Sequence, residues 1–162
     1  MNKVILLLNG PNLNMLGSRE KAHYGDFTLS DVESNVRELA KAHGYALEAF
    51  QSNYEGALIE RIHMAVPRVS GILINAGALT HYSYALLDAL LLCSFPIVEV
   101  HISDIHRREP FRQVSVIRAA CVDQVAGLGF DSYRVGLERL FEHIGGRGGA
   151  KMEAKVVEKG NG

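Results

Sequence analysis

The sequence predicts an α/β protein whose mostly parallel sheet carries helices on both faces, and three observations predict it. Short apolar runs alternate with longer amphipathic stretches along the chain. The runs lack the period-2 alternation of half-exposed strands, so they read as strands buried on both faces. A repeated strand–helix order also forces right-handed crossovers, which lay successive strands parallel.

The first strand is expected over residues 4–8, where Val4, Ile5, Leu6, Leu7 and Leu8 run without a polar break. A helix follows over 29–43, with Val32, Val36, Leu39 and Ala40 at helical spacing and Gly44 as its C-terminal stop. Strands at 46–51 and 71–75 alternate with helices at 54–66 and 81–93; strands at 97–101 and 122–128 then lead to a helix at 133–143. Five strands in this arrangement most often take the order 2-1-3-4-5, the flavodoxin-like order. Residues 1–145 form one domain on this reading, and residues 146–162, Gly- and Lys-rich with little apolar content, read as a mobile tail.

Composition narrows the function. With 162 residues and 48% hydrophobic content, the chain suits one well-buried core rather than two domains. Its 17 Lys and Arg against 18 Asp and Glu give no broad positive field for a nucleic acid or an anionic membrane, so a small ligand fits better. Cys93 and Cys121 have apolar surroundings and no CxxC spacing, which suits two buried thiols in a reducing compartment. Residues 1–16 read as strand and loop rather than a leader, and no apolar run reaches membrane-spanning length, so a cytoplasmic protein is expected.

In such a sheet a ligand sits beyond the carboxyl ends of the strands, where the strand order reverses, here between the first and third strands. Those ends carry Asn9-Gly10-Pro11-Asn12 and Asn75-Ala76-Gly77, and the neighbouring fourth strand ends in Glu99-Val100-His101-Ile102-Ser103. Taken alone, the first is an ordinary turn and the second a strand–helix connection with Thr80 as N-cap. His101 projects to the same side as Glu99, two residues earlier, so the carboxylate can hold one ring nitrogen and raise the basicity of the other. A satisfied core histidine ranks equal until the other residues are counted.

Arg107, Arg108 and Arg112 follow that strand, and an Arg fork suits carboxylates and hydroxyls; Arg112 is the one expected to reach a ligand, the others serving as a solvated face. Asp88 reads most simply as a surface carboxylate. Arg19 and Tyr24 share the loop after the first strand. A phenol is a poor base at its ordinary pKa of about 10, and a guanidinium close by favours the anion, so this loop can close over a substrate and deliver a base. The plainer alternative is an aromatic anchor for the loop.

Other chemistries fit poorly. Neither G-x-G-x-x-G nor G-x-x-x-x-G-K-[ST] follows the first strand, its end carries no acidic cluster for Mg²⁺, and no lysine lies at the carboxyl end of a core strand for a Schiff base.

The chain carries Leu8-Asn9-Gly10-Pro11-Asn12-Leu13-Asn14 with Leu16-Gly17, then Arg19-Glu20 and Tyr24-Gly25, and Gln51-Ser52-Asn53 with Glu55-Gly56. Further along come Ile74-Asn75-Ala76-Gly77, Thr80-His81, Ser83, Glu99-Val100-His101-Ile102-Ser103, Arg108-Glu109 and Phe111-Arg112. On these motifs the chain resembles the type II 3-dehydroquinate dehydratases, the type II dehydroquinases, over residues 1–145. Lys21 and Asp104 depart from the family's usual Pro and Asn.

The resemblance implies a cofactor-free, metal-free anti elimination of water from 3-dehydroquinate through an enolate, in the shikimate pathway of aromatic amino acid biosynthesis. It implies Tyr24 as base, Arg19 keeping it anionic, Asn12 stabilising the enolate through a water, and His101 as acid oriented by Glu99. The substrate carboxylate is expected against Asn75 and the backbone N–H groups of Ile102 and Ser103, and the ring hydroxyls against His81 and Arg112. Asp88 matches a position that reaches a neighbouring subunit's site, in a homododecamer built as a tetramer of trimers. A non-catalytic flavodoxin-like module binding a small carboxylate or nucleotide is the competing class.

Overall fold

The computed structural model describes residues 3–18 and 21–146; Arg19, Glu20 and the expected tail beyond Gly146 lie outside the described residues. Five strands, β1 (Val4–Asn9), β2 (Ala46–Gln51), β3 (Gly71–Asn75), β4 (Ile97–His101) and β5 (Asp123–Ala126), pair in the order β2-β1-β3-β4-β5. Every pairing is parallel. The helices are α1 (Lys21–Tyr24), α2 (Leu29–Ala42), α3 (Glu55–Ala65), α4 (Tyr84–Leu91) and α5 (Asp131–Gly145).

Alternating strand residues feed two cores, as the pleat dictates. Leu6 and Leu8 of β1 with Ile72 and Ile74 of β3 pack against Leu58 and Ile62 of α3 and Leu86 and Leu90 of α4. Ile5 and Leu7 with Val98 and Val100 of β4 pack against Val32 and Val36 of α2 and Leu137 and Leu140 of α5. Both faces being covered explains why the runs are continuously apolar. Helix α2 starts in a capping box, in which the Thr28 side chain accepts from the Asp31 N–H and Asp31 accepts from the Thr28 N–H. It ends at Gly44, whose φ of 81° is the left-handed conformation expected of a helix stop.

Two expectations need correction. Thr80 is not an N-cap: residues Gly77–His81 first wind as a 3-10 turn, and Ser83 Oγ accepts from the Leu86 N–H at 3.0 Å to start α4. The delay has a physical cause, since the Thr80 carbonyl is taken by the Val116 N–H at 2.8 Å and holds this stretch to the neighbouring segment. Strand β5 is shorter than expected because Gly127, at φ 82°, turns the chain out of the sheet.

The β4–β5 connection contains no α-helix among the described residues. It makes 3-10 turns at Ile105–Arg107, Pro110–Arg112 and Arg118–Ala120, and it anchors through Ile117 and Cys121 in the core on the α3 and α4 side. A crossover without a helix spends its length bringing polar side chains to the end of β4. Among the described residues, no helix is long and apolar enough to cross a membrane.

Candidate active site

The strand exits create the site. Gly10 donates its N–H to the Asn75 carbonyl at 2.8 Å, and a Cβ on Gly10 would lie 2.3 Å from the Ala76 carbonyl oxygen, so only glycine lets the ends of β1 and β3 cross in contact. Two residues on, Asn12 adopts φ 68°, a conformation asparagine tolerates better than most, and its N–H donates to Asn53 Oδ1 at 2.9 Å. Gln51, at the end of β2, donates to the Gly10 carbonyl at 3.2 Å and braces the same turn.

Beneath this turn a polar knot is sealed in the core. The Tyr133 hydroxyl donates to Asn9 Oδ1 at 2.6 Å and accepts from Asn75 Nδ2 at 3.0 Å, while Asn75 Oδ1 accepts from the Gly77 N–H at 3.1 Å. Burial pushes the Tyr133 phenol up, outweighing the opposing bond from Asn75, so it stays a donor. These bonds set the Asn75 amide and commit one of its two N–H groups to Tyr133.

On β4, Glu99 and His101 lie side by side, 0% and 4% exposed, with His101 Nε2 hydrogen-bonded to Glu99 Oε2. Ser115 Oγ donates to Glu99 Oε1 at 2.8 Å and Gln124 Nε2 donates to Oε2 at 2.9 Å. Burial alone would push the Glu99 carboxyl up; bonds from His101, Gln124 and Ser115 together with the His101 charge overcome it and hold Glu99 below the usual carboxylate range. An ionised Glu99 only accepts, so Nε2 of His101 carries its proton and Nδ1 is the second ring nitrogen.

His81 is held differently. Its Nδ1 meets the Val114 carbonyl at 2.8 Å, and since a carbonyl only accepts, Nδ1 carries the proton. Burial lowers its pKa, His101 and Arg112 add to that effect, and the Val114 bond and Glu99 oppose it, so the ring favours its neutral form with Nε2 as acceptor.

Tyr24 enters from α1, half-buried and packed with Phe27 against the core on the α2 and α5 side. Arg108 Nη1 donates to the Tyr24 hydroxyl oxygen at 2.9 Å and lies 3.4 Å from Ser103 Oγ, and the guanidinium carbon stands 5.6 Å from the Tyr24 ring centre. The positive charge therefore sits where a phenolate would form.

One crevice is lined by Asn12, Tyr24, Asn75, His81, His101, Ile102, Ser103 and Arg112 of the predicted residues, together with Arg108. Glu99 stands behind His101 rather than on the surface of the crevice. Arg112, the arginine expected to reach a ligand, has Nε 2.9 Å from the Glu109 carboxylate on its outer side. Asp88 is exposed on α4 and does not line the crevice of its own chain. Arg19 lies outside the described residues.

Sequence reasoning missed Tyr133, Ser115 and Gln124 and gave Arg108 no role beside Tyr24. Only Gln124 had a usable signal, because pairing the fourth and fifth strands in register sets it opposite Glu99.

The dehydroquinase class II family model matches residues 3–141. The 3-dehydroquinate dehydratases of Bacillus cereus (strain AH820) and Bacillus anthracis (strain CDC 684 / NRRL 3495) are each 51% identical over 142 residues, spanning 88% of this chain and 97% of theirs. Among solved structures, the type II dehydroquinase from Butyrivibrio crossotus DSM 2876 superposes with a TM-score of 0.84 at 42% identity, over 86% of this chain and 98% of that one. The enzyme from Propionibacterium acnes gives 0.81 at 39% identity, over 86% and 97%. Matched by family, by relatives nearly end to end, and by fold, the chain belongs to the class II dehydroquinase family of enzymes.

Proposed function

We propose that the protein dehydrates 3-dehydroquinate to 3-dehydroshikimate, in the shikimate pathway, by anti elimination through an enolate. The observation that carries this reading is the convergence on one crevice of a phenol held by a guanidinium and an imidazole held by a buried carboxylate. An elimination next to a ketone needs a base for the acidified C–H and an acid for a poor leaving group, and no other group is obligatory.

Tyr24, as phenolate, takes the C2 proton, with Arg108 and Arg19 stabilising its charge. The electron pair moves onto the ketone oxygen, and Asn12 supports the enolate through a water. The enolate then expels the C1 hydroxyl while His101 Nδ1 protonates it, so one water leaves. The proton on Tyr24 and the vacancy on His101 cancel through solvent before the next turnover.

The substrate carboxylate meets the second N–H of Asn75 and the backbone N–H groups of Ile102 and Ser103, while His81 Nε2 and Arg112 meet ring hydroxyls. General acid and general base each contribute about 10²- to 10⁴-fold. The proposal extends to a cytoplasmic homododecamer of four trimers, in which exposed Asp88 serves a neighbouring crevice.

Purified protein, without added metal or cofactor, should generate the ultraviolet absorbance of the conjugated acid from 3-dehydroquinate, and borohydride added with substrate should not inactivate it. A folded oligomer that produces no conjugated acid rules the reading out.

A further inference from the structure

Gln124 does not line the crevice, yet it is placed against the residue that orients the imidazole. Parallel pairing sets Glu99 opposite Gln124, and paired residues raise their side chains on the same face of the sheet. Gln124 Nε2 is 2.9 Å from Glu99 Oε2, the oxygen that His101 Nε2 also meets. On its other side, Gln124 Oε1 is 3.1 Å from His106 Nε2. His106 is exposed, in the turn that leaves β4, where its backbone N–H donates to Asp104 Oδ1 at 3.1 Å.

The direction of this chain follows from which groups can donate. An ionised carboxylate only accepts, so Gln124 turns its NH₂ toward Glu99 and its carbonyl outward. A carbonyl also only accepts, so His106 Nε2 carries a hydrogen, a condition met by the Nε2–H tautomer and by the imidazolium alike. A flipped Gln124 would set its carbonyl oxygen against the Glu99 carboxylate and lose that bond. Ser115 cannot substitute, because it holds the other oxygen, Oε1.

We propose that Gln124, oriented by His106, is a positioning residue for the proton-donating side of the reaction: its amide fixes the Glu99 carboxylate so that Oε2 receives the His101 Nε2–H and Nδ1 is presented to the leaving hydroxyl. The inference rests on the reading of His101 as the acid. It adds no covalent step, and it gives an exposed histidine outside the crevice a path to His101 through three hydrogen bonds, by way of Gln124 and Glu99.

Steady-state kinetics of four variants test it. Gln124→Met keeps length and bulk but cannot donate; kcat should fall about tenfold with KM within about twofold, the scale of one hydrogen bond to a charged group. Gln124→Glu should cost more, because two touching carboxylates cannot both ionise. His106→Ala should lower kcat about threefold with unchanged Tm, and should cost nothing further in the Gln124→Met background, since coupled residues are not additive. Additive losses, an effect confined to KM, or full turnover in Gln124→Met would overturn the proposal. Should Gln124→Met fail to fold, His106→Ala decides alone: turnover equal to wild type refutes the relay, and a kcat-only loss supports it. Wild-type turnover and its loss in His101→Ala judge the acid assignment separately, so the two failures stay distinguishable.

Discussion

The two sides of the crevice are built on opposite plans. His101 stands on a central strand, 4% exposed, and its partner Glu99 is bonded from β4, from β5 and from the crossover between them. Tyr24 stands on α1, a four-residue helix in a loop, and Arg108, 84 residues further along the chain, bonds its hydroxyl. The sheet side is over-determined by several elements, whereas the loop side depends on contacts made across the crevice. A reaction that must admit a substrate and then exclude water suits one fixed side and one that is completed by closure.

This contrast is sharpest in Tyr24→Phe, which removes the proposed base while leaving the ring packed; kcat should fall about 10³-fold with an unchanged thermal transition. Substantial turnover in that variant would move the base elsewhere. His101→Gln should cost about 10²-fold in kcat, the lower end for a lost general acid, because the polar site around it persists.

Arg108→Met comes next, with an expected loss of about 30-fold, concentrated in kcat because it removes the bond to the hydroxyl of the proposed base. It should leave stability nearly untouched, because Tyr24 keeps its packing with Phe27 against the core, and a marked drop in Tm would show that the bond across the crevice also holds the loop in place. The smallest expected effect is in Tyr133→Phe. It breaks the bonds to Asn9 and Asn75 and should cost about 1–2 kcal/mol of stability, measured by denaturant unfolding.

The fixed side also carries a pH signature. Folding holds the Glu99 carboxyl below its ordinary value of 4.5, so Glu99 adds stability that is full above that value and is lost as pH falls through the lower, folded one. The stability gap between wild type and Glu99→Gln should therefore narrow as the medium is acidified below about pH 4.5, and a gap that stays constant would mean that folding does not lower the Glu99 pKa.

Much of the fixed side was legible in the sequence. Continuous apolar runs reveal strands covered on both faces, parallel order locates the crevice, and a Glu and a His two residues apart must share a face. The loop side was harder to read. Arg108 reaches Tyr24 from a crossover of 3-10 turns that has no period to recognise, and three arginines in six residues offered no local reason to choose it over Arg112. Ser115 sits in the same irregular stretch. Thr80 was the cap expected, and its displacement by Ser83 depends on a long-range bond from Val116 that no local pattern announces.

On the proposed mechanism both sides act on the same substrate molecule, one removing a proton and the other donating one. 3-Dehydroquinate carrying deuterium at C2 on the face opposite the C1 hydroxyl tests that joint action most directly. Wild-type protein should release the deuterium to solvent and yield unlabelled 3-dehydroshikimate; product that retains the label would contradict the anti elimination assigned to Tyr24 and His101.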